Sequence, residues 1–142
     1  MEAIVGAMFH LPQSMGGFGL NLALNRRVDF GHEAQLVSTM PYAVCDALVA
    51  DAAATIEYNG PDHDTASSRI HDEQRKLGLA AMGIATFALN YQQLSDVTAL
   101  EVVAKLLYKR AGKRYRNRSR AYRLKQVELL NGLRIAYGLK PC

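Results

Sequence analysis

Asp46 and Glu57 are the two side chains whose type and spacing most plainly allow chemistry. They sit in PYAVCDALVA (41–50) and AATIEY (53–58), two runs that read as β-strands joined at Asp51-Ala52. If Asp51-Ala52 is a two-residue hairpin turn, Ala50 faces Ala53 and Asp46 falls opposite Glu57, with Cβ atoms roughly 4.5–5.5 Å apart. Alternation then puts Asp46, Thr55, Glu57 and Asn59 on one face. Cys45, Ala47, Val49, Ala54, Ile56 and Tyr58 lie on the other, mostly apolar face. Two carboxylates that close sit in water, share a proton or share a cation. Paired oxygens suit a hard divalent ion such as magnesium, which keeps several waters. A solvated acidic pair on an exposed sheet face is the competing reading of the same geometry.

The elements around this pair follow from periodicity. EAIVGAMFH (2–10) reads as a short helix with Ile4, Val5, Met8 and Phe9 on one side. LPQSMGGFGL (11–20) is a turn-rich loop; no Gly-Lys-Ser/Thr follows its glycines, so they read as turn residues needing positive φ rather than a phosphate cradle. A strand is expected near 24–30, and a loop or bend over 31–39. After the hairpin the chain breaks at Asn59-Gly60-Pro61, and residues 61–66 form a polar loop. Ser67 or Ser68 can cap a helix running to about Met82, with Gly83 at its end. IATFALN (84–90) is a short buried strand. DVTALEVVAKLLYKRAG (96–112) is an amphipathic helix, and AYRLKQVELLNGLRIAYG (121–138) a last one. The order implies a mixed α/β domain over 1–112, followed by a basic C-terminal arm and helix over 113–142.

Composition bounds the function. The 142 residues, 49% hydrophobic and 21% charged, suit one globular domain. Cys45 and Cys142 are too far apart in sequence for a disulfide framework or zinc spacing, which points to a reducing, cytoplasmic setting. No apolar run approaches membrane-spanning length, so no membrane partner is expected. The uncapped start, with Glu2 where a signal peptide would carry a positive charge, suggests a piece of a longer protein with a further N-terminal domain. Charge is segregated. Residues 1–104 hold five Lys and Arg against twelve Asp and Glu; residues 105–142 hold twelve against Glu128 alone. A basic arm on an acidic body suits a polyanion beside a metal-holding site. In KRYRNRSRAYR, Lys113, Arg114, Arg116, Arg118, Arg120 and Arg123 are the candidate nucleic-acid contacts: arginines fork onto phosphates and tyrosines can stack on bases. A candidate magnesium site beside such an arm suggests phosphodiester hydrolysis.

Taken in order, Asp46, Glu57-Tyr58-Asn59-Gly60, His63, Asp72-Glu73-Gln74-Arg75, Leu79, Gly83 and the strand IATFALN resemble the very-short-patch-repair-like branch of the PD-(D/E)XK nuclease superfamily, its uncharacterised "endonuclease domain" proteins. The upstream Gly-Gly-Phe-Gly-Leu and Asn25 look like the lead-in of bacterial members, and the likeness covers roughly residues 2–112. It implies a restriction-endonuclease-like core: a small mixed sheet flanked by helices. It also implies Mg2+ or Mn2+ held by Asp46, Glu57 and the Tyr58 carbonyl, with His63 near the scissile phosphate. Glu2, Asp72 and Arg75 would support the site. The motif's third position, usually Lys and often Asp in this branch, is Asn59, which is neither a cation nor a good base; Lys76 could supply a migrated charge. Read from spacing alone, His71 and Arg75 decorate one helix face and Asp72 and Lys76 form an ordinary i,i+4 pair.

Three functions are therefore expected in turn. The first is a metal-dependent endonuclease-like hydrolase acting on DNA ahead of RNA; such small nucleases must dimerise or nick, which leaves a homodimer open. The second is a catalytically lapsed nucleic-acid-binding module of a bacterial regulator or defence protein. The third is an interaction domain whose arm binds an acidic protein.

Overall fold

The computed structural model describes residues 1–60, 66–116 and 119–142. Helix α1 (Glu2–His10) is followed by strand β1 (Ala23–Asp29), helix α2 (His32–Ser38) and strands β2 (Tyr42–Val49) and β3 (Ala54–Tyr58). Helix α3 (Ala66–Ala81), strand β4 (Ala85–Leu89), and helices α4 (Val97–Arg110) and α5 (Arg120–Ala136) complete the order. The four strands form one sheet in sequence order: β1, β2 and β3 run antiparallel, and β4 runs parallel to β3. A parallel pair cannot be joined by a tight turn, so α3 carries the chain back along the sheet. The architecture is α/β, a mixed sheet flanked by helices, as the element order implied.

Two apolar clusters cover the two faces. Ile4, Met8 and Phe9 of α1, Leu100, Ala104 and Leu107 of α4 and Leu130 of α5 pack with Phe18 onto Ala47, Val49, Ala54 and Ile56. On the other face Ala34 of α2 and Leu79 of α3 pack with Phe30, Ala43 and Cys45. Cys45 was expected on the face of Ala47 and lies on the opposite one. The reason is local. The β1–β2 ladder runs from Ala23–Leu48 to Asp29–Tyr42 but skips the Asn25–Asp46 step, and Asn25 has φ 48°. Opposite this interruption, Cys45 and Ala47 on either side of Asp46 pack into opposite layers.

The β2–β3 register is the expected one: Ala47–Ile56, Leu48–Thr55 and Val49–Ala54 pair, which puts Asp46 opposite Glu57. The turn differs. Residues Ala50–Ala52 form a 3-10 turn and Ala53 takes φ 46°, so the connection has four residues and closes on Val49–Ala54.

Other departures are short-range. Residues 32–38, expected as loop or bend, are the two-turn helix α2. Ser67 and Ser68 lie inside α3 rather than ahead of it. Gly83 ends α3 as expected, with φ 77° and its amide on Ala80 O. Asp96 caps α4 through Thr98 N, and Ser119 caps α5 through Tyr122 N. The glycines of the 11–20 loop allow close docking: a Cβ on Gly16 would collide with the backbone of Lys125 in α5. Tyr122 then donates its hydroxyl to Gly17 O at 2.7 Å. Helix α5 is thus sewn to the body, and Leu130 is fully buried there.

Candidate functional site

Near the C-terminal end of β3 its pairing with β2 ends, while its pairing with β4 runs on to Tyr58–Leu89. The paired ladder stops at Ala47–Ile56, and beyond it the two acids bond to backbone amides across the gap. Asp46 N donates to Glu57 Oε2 at 3.3 Å, and Tyr58 N donates to Asp46 Oδ2 at 3.2 Å. Each carboxylate therefore takes a donor that a regular ladder would have given to a carbonyl, and both are locked where the strands part. Glu57 Oε1 also accepts from the Thr55 hydroxyl at 2.9 Å.

Helix α3 supplies the counter-charge. Arg75 Nη2 lies 2.6 Å from Glu57 Oε1 and donates to Val44 O at 2.8 Å. Both side chains are mostly buried, at 16% and 9% exposure, so the pair is screened little by water. Burial pushes the Glu57 carboxyl above the usual carboxylate range; the Arg75 hydrogen bond draws it back in part, Asp46 adds to the rise, and the net direction is upward. Burial likewise raises the Cys45 thiol, which sits beneath Thr55 and Glu57 as an inert core sulfur.

The acids look into an open cavity of about 1190 Å³ between β2, β3 and α3. It gathers Glu2, Asp46, Glu57, Tyr58, Asn59, Asp72, Arg75 and Lys76, so eight expected site residues from four elements share one space. Lys76 Nζ is held by Asp72 Oδ2 at 3.0 Å, and Arg75 approaches Asp72 only at 4.0 Å. His63 and Arg118 lie outside the described residues. Thr55 and Val44 were missed as Glu57 and Arg75 partners. Thr55 had a visible signal, since it precedes Glu57 by two on the same strand face.

Asp46 and Glu57 offer carboxylate oxygens of the kind a hard divalent cation takes. Glu2, Asp46, Glu57, Asp72 and Glu73 outnumber Arg69, Arg75 and Lys76 around the cavity, and an acidic excess attracts cations. Among the described residues no three His, Cys, Asp or Glu side chains stand close enough to hold a metal together.

The basic segment is not beside these acids. Lys113 Nζ bonds Asp51 Oδ2 at 2.9 Å, and Arg110 donates to Ala52 O and Ala53 O. Both anchor at the β2–β3 turn, the far end of β3 from Glu57. Four residues of strand separate Ala53 from Glu57, about 13 Å at the usual rise. Arg114 and Arg116 are exposed, and Arg120 opens α5 with its side chain exposed. Arg123 is engaged with Glu101 at 3.2 Å. The tyrosines expected to stack on bases are packed instead. Tyr122 is buried, and the Tyr115 ring lies against Phe18, Tyr108 and Tyr122. Compared with known proteins, the chain matches no family model, no curated protein and no solved structure. Among the described residues no helix is long and apolar enough to cross a membrane.

Proposed function

We propose that this chain is a restriction-endonuclease-like domain that hydrolyses nucleic-acid phosphodiesters with Mg2+ or Mn2+, DNA ahead of RNA. One observation carries the reading: Asp46 and Glu57 are fixed by each other's strand at the point where β2 and β3 part, facing an acid-rich cavity. The order α1, β1, α2, β2, β3, α3, β4, with three antiparallel strands and a parallel fourth, supports it, as does the share of the cavity taken by Glu2, Asp72 and Arg75.

In this reading Asp46 and Glu57 hold the cation, with the Tyr58 carbonyl. Bound there, the cation supplies Lewis acidity to a phosphate and an acidified water. Arg75 and Lys76, one turn and less from Asp72, provide the positive charge that Asn59 does not, and orient the phosphate at the cavity mouth. Thr55 fixes the Glu57 rotamer through Oε1. Arg114, Arg116 and Arg120, exposed near the far end of β3 or at the start of α5, hold the nucleic-acid backbone away from the reacting phosphate.

A second reading is a nucleic-acid-binding module on the same fold whose chemistry has lapsed. The Arg75–Glu57 ion pair and Asn59 favour it. Cleavage of supercoiled plasmid with Mg2+ or Mn2+, beside an Asp46→Ala/Glu57→Ala control, decides between them. Metal-dependent nicking that is lost in the control supports hydrolysis. Plasmid shifted at low salt but never cut supports binding alone.

A further inference from the structure

A buried carboxylate needs a charge partner, and Glu57 has one inside the chain. Arg75 is permanently protonated, lies 2.6 Å from Glu57 Oε1 and is tied by the same nitrogen to Val44 O. Glu57 Oε2 and the Asp46 carboxylate face the same gap. A divalent cation in that gap would stand a few Å from a guanidinium on the same carboxylate, and like charges at that range repel strongly where water is scarce. Lys76 does not create this conflict, because Asp72 holds its amine.

We propose that Arg75 is a built-in competitor for the cation. Its guanidinium neutralises Glu57 while no ion is bound, and a divalent cation binds tightly only as Arg75 releases Glu57. The freed guanidinium stays tethered at the cavity through Val44 O, within reach of a phosphate oxygen. The inference deepens the proposed function and rests on that reading of Asp46 and Glu57. It makes cation and phosphate reciprocal: each favours the state in which the other fits, because both favour a parted Arg75–Glu57 pair. The site would then be weak for metal by itself and stronger once a phosphate is present.

The test is a titration of the full chain with Mn2+, reading free ion by electron paramagnetic resonance. Four proteins are compared: wild type, Arg75→Met, Arg75→Lys and Asp46→Asn. The expected result is weak binding by wild type, none at this site in Asp46→Asn, and affinity raised about tenfold or more in Arg75→Met. Arg75→Lys guards against a misfolded Met variant. It keeps the charge on a shorter, single-point head that cannot serve Glu57 and Val44 together, and should bind Mn2+ more tightly than wild type by a smaller factor. Unchanged or weaker binding in both Arg75 variants, with Asp46→Asn still silencing wild type, overturns the competition and leaves the metal site standing. No Mn2+ bound by wild type or by either Arg75 variant overturns the metal reading, and the competition with it.

Discussion

At the scale of single residues, Glu57 joins a buried ion pair to the proposed site. Replacing it by Ala leaves Arg75 buried without its partner, and breaking one side of a buried pair costs about 3 kcal/mol or more. Chemical denaturation should show that loss for Glu57→Ala. Asp46→Ala, at a half-buried position with no ion pair among the described residues, should cost clearly less, and on the proposed function metal-dependent nicking should vanish in both. If the double change Glu57→Gln/Arg75→Met regains part of the Glu57→Ala loss, the penalty is the stranded charge rather than lost packing. Much of this was legible beforehand, because a two-residue period and one turn fix which side chains oppose each other; the Asp46–Glu57 opposition needed nothing else. The Arg75–Glu57 pair was not legible from spacing, since it joins a helix to a strand 18 residues earlier. From periodicity Arg75 is surface decoration, and only the family resemblance gave it a supporting role.

At the scale of elements, α5 is held by apolar packing as well as by the Arg123–Glu101 ion pair. Leu130 is fully buried in the cluster shared with α1 and α4, so Leu130→Ala should cost about 2–5 kcal/mol, measured by urea unfolding. The loss should be similar at high and low salt, because the contact is apolar. The amphipathic period of 121–138 announced this helix but not its docking site, which depends on Gly16 admitting the α5 backbone and on the Gly17 carbonyl accepting the Tyr122 hydroxyl. Helix α2 was illegible for a different reason: it is only two turns long, and of its residues Ala34 and Ser38 alone are buried, too few to make a period. The face exchange at Asp46 was hidden because strict two-residue alternation does not register an interrupted step in the β1–β2 ladder. Thiol chemistry offers a direct check. Cys45 is buried and its thiol raised, while Cys142 is exposed, so one thiol should react with a disulfide reagent in the native chain and two after unfolding.

At the scale of the whole molecule, charge is separated along the sheet, with acids at one end of β3 and the basic segment anchored at the other. If nucleic acid lies along this axis, replacing Arg114, Arg116 and Arg120 by Gln should weaken binding alike for all sequences. The slope of log affinity against log salt should fall by about 3. The same region carries a second whole-molecule property. Burial raises the hydroxyls of Tyr108, Tyr115 and Tyr122 above the ordinary tyrosine range. A folded value above the unfolded one means that the native state keeps protons the unfolded chain has lost. Stability is therefore full below about pH 10 and falls as pH rises beyond it. A spectrophotometric titration should find these phenols ionising together with alkaline unfolding, not before it.

Strand β1 is one of the two outer strands of the sheet, and its far edge meets no other strand among the described residues. Such an edge is a template on which further chains can assemble. Here the left-handed Asn25 breaks the edge after two residues, and exposed Arg26 and Arg27 follow it with like charges. A neighbouring copy would meet at β1 a bent, positively charged edge rather than a straight, neutral one to extend.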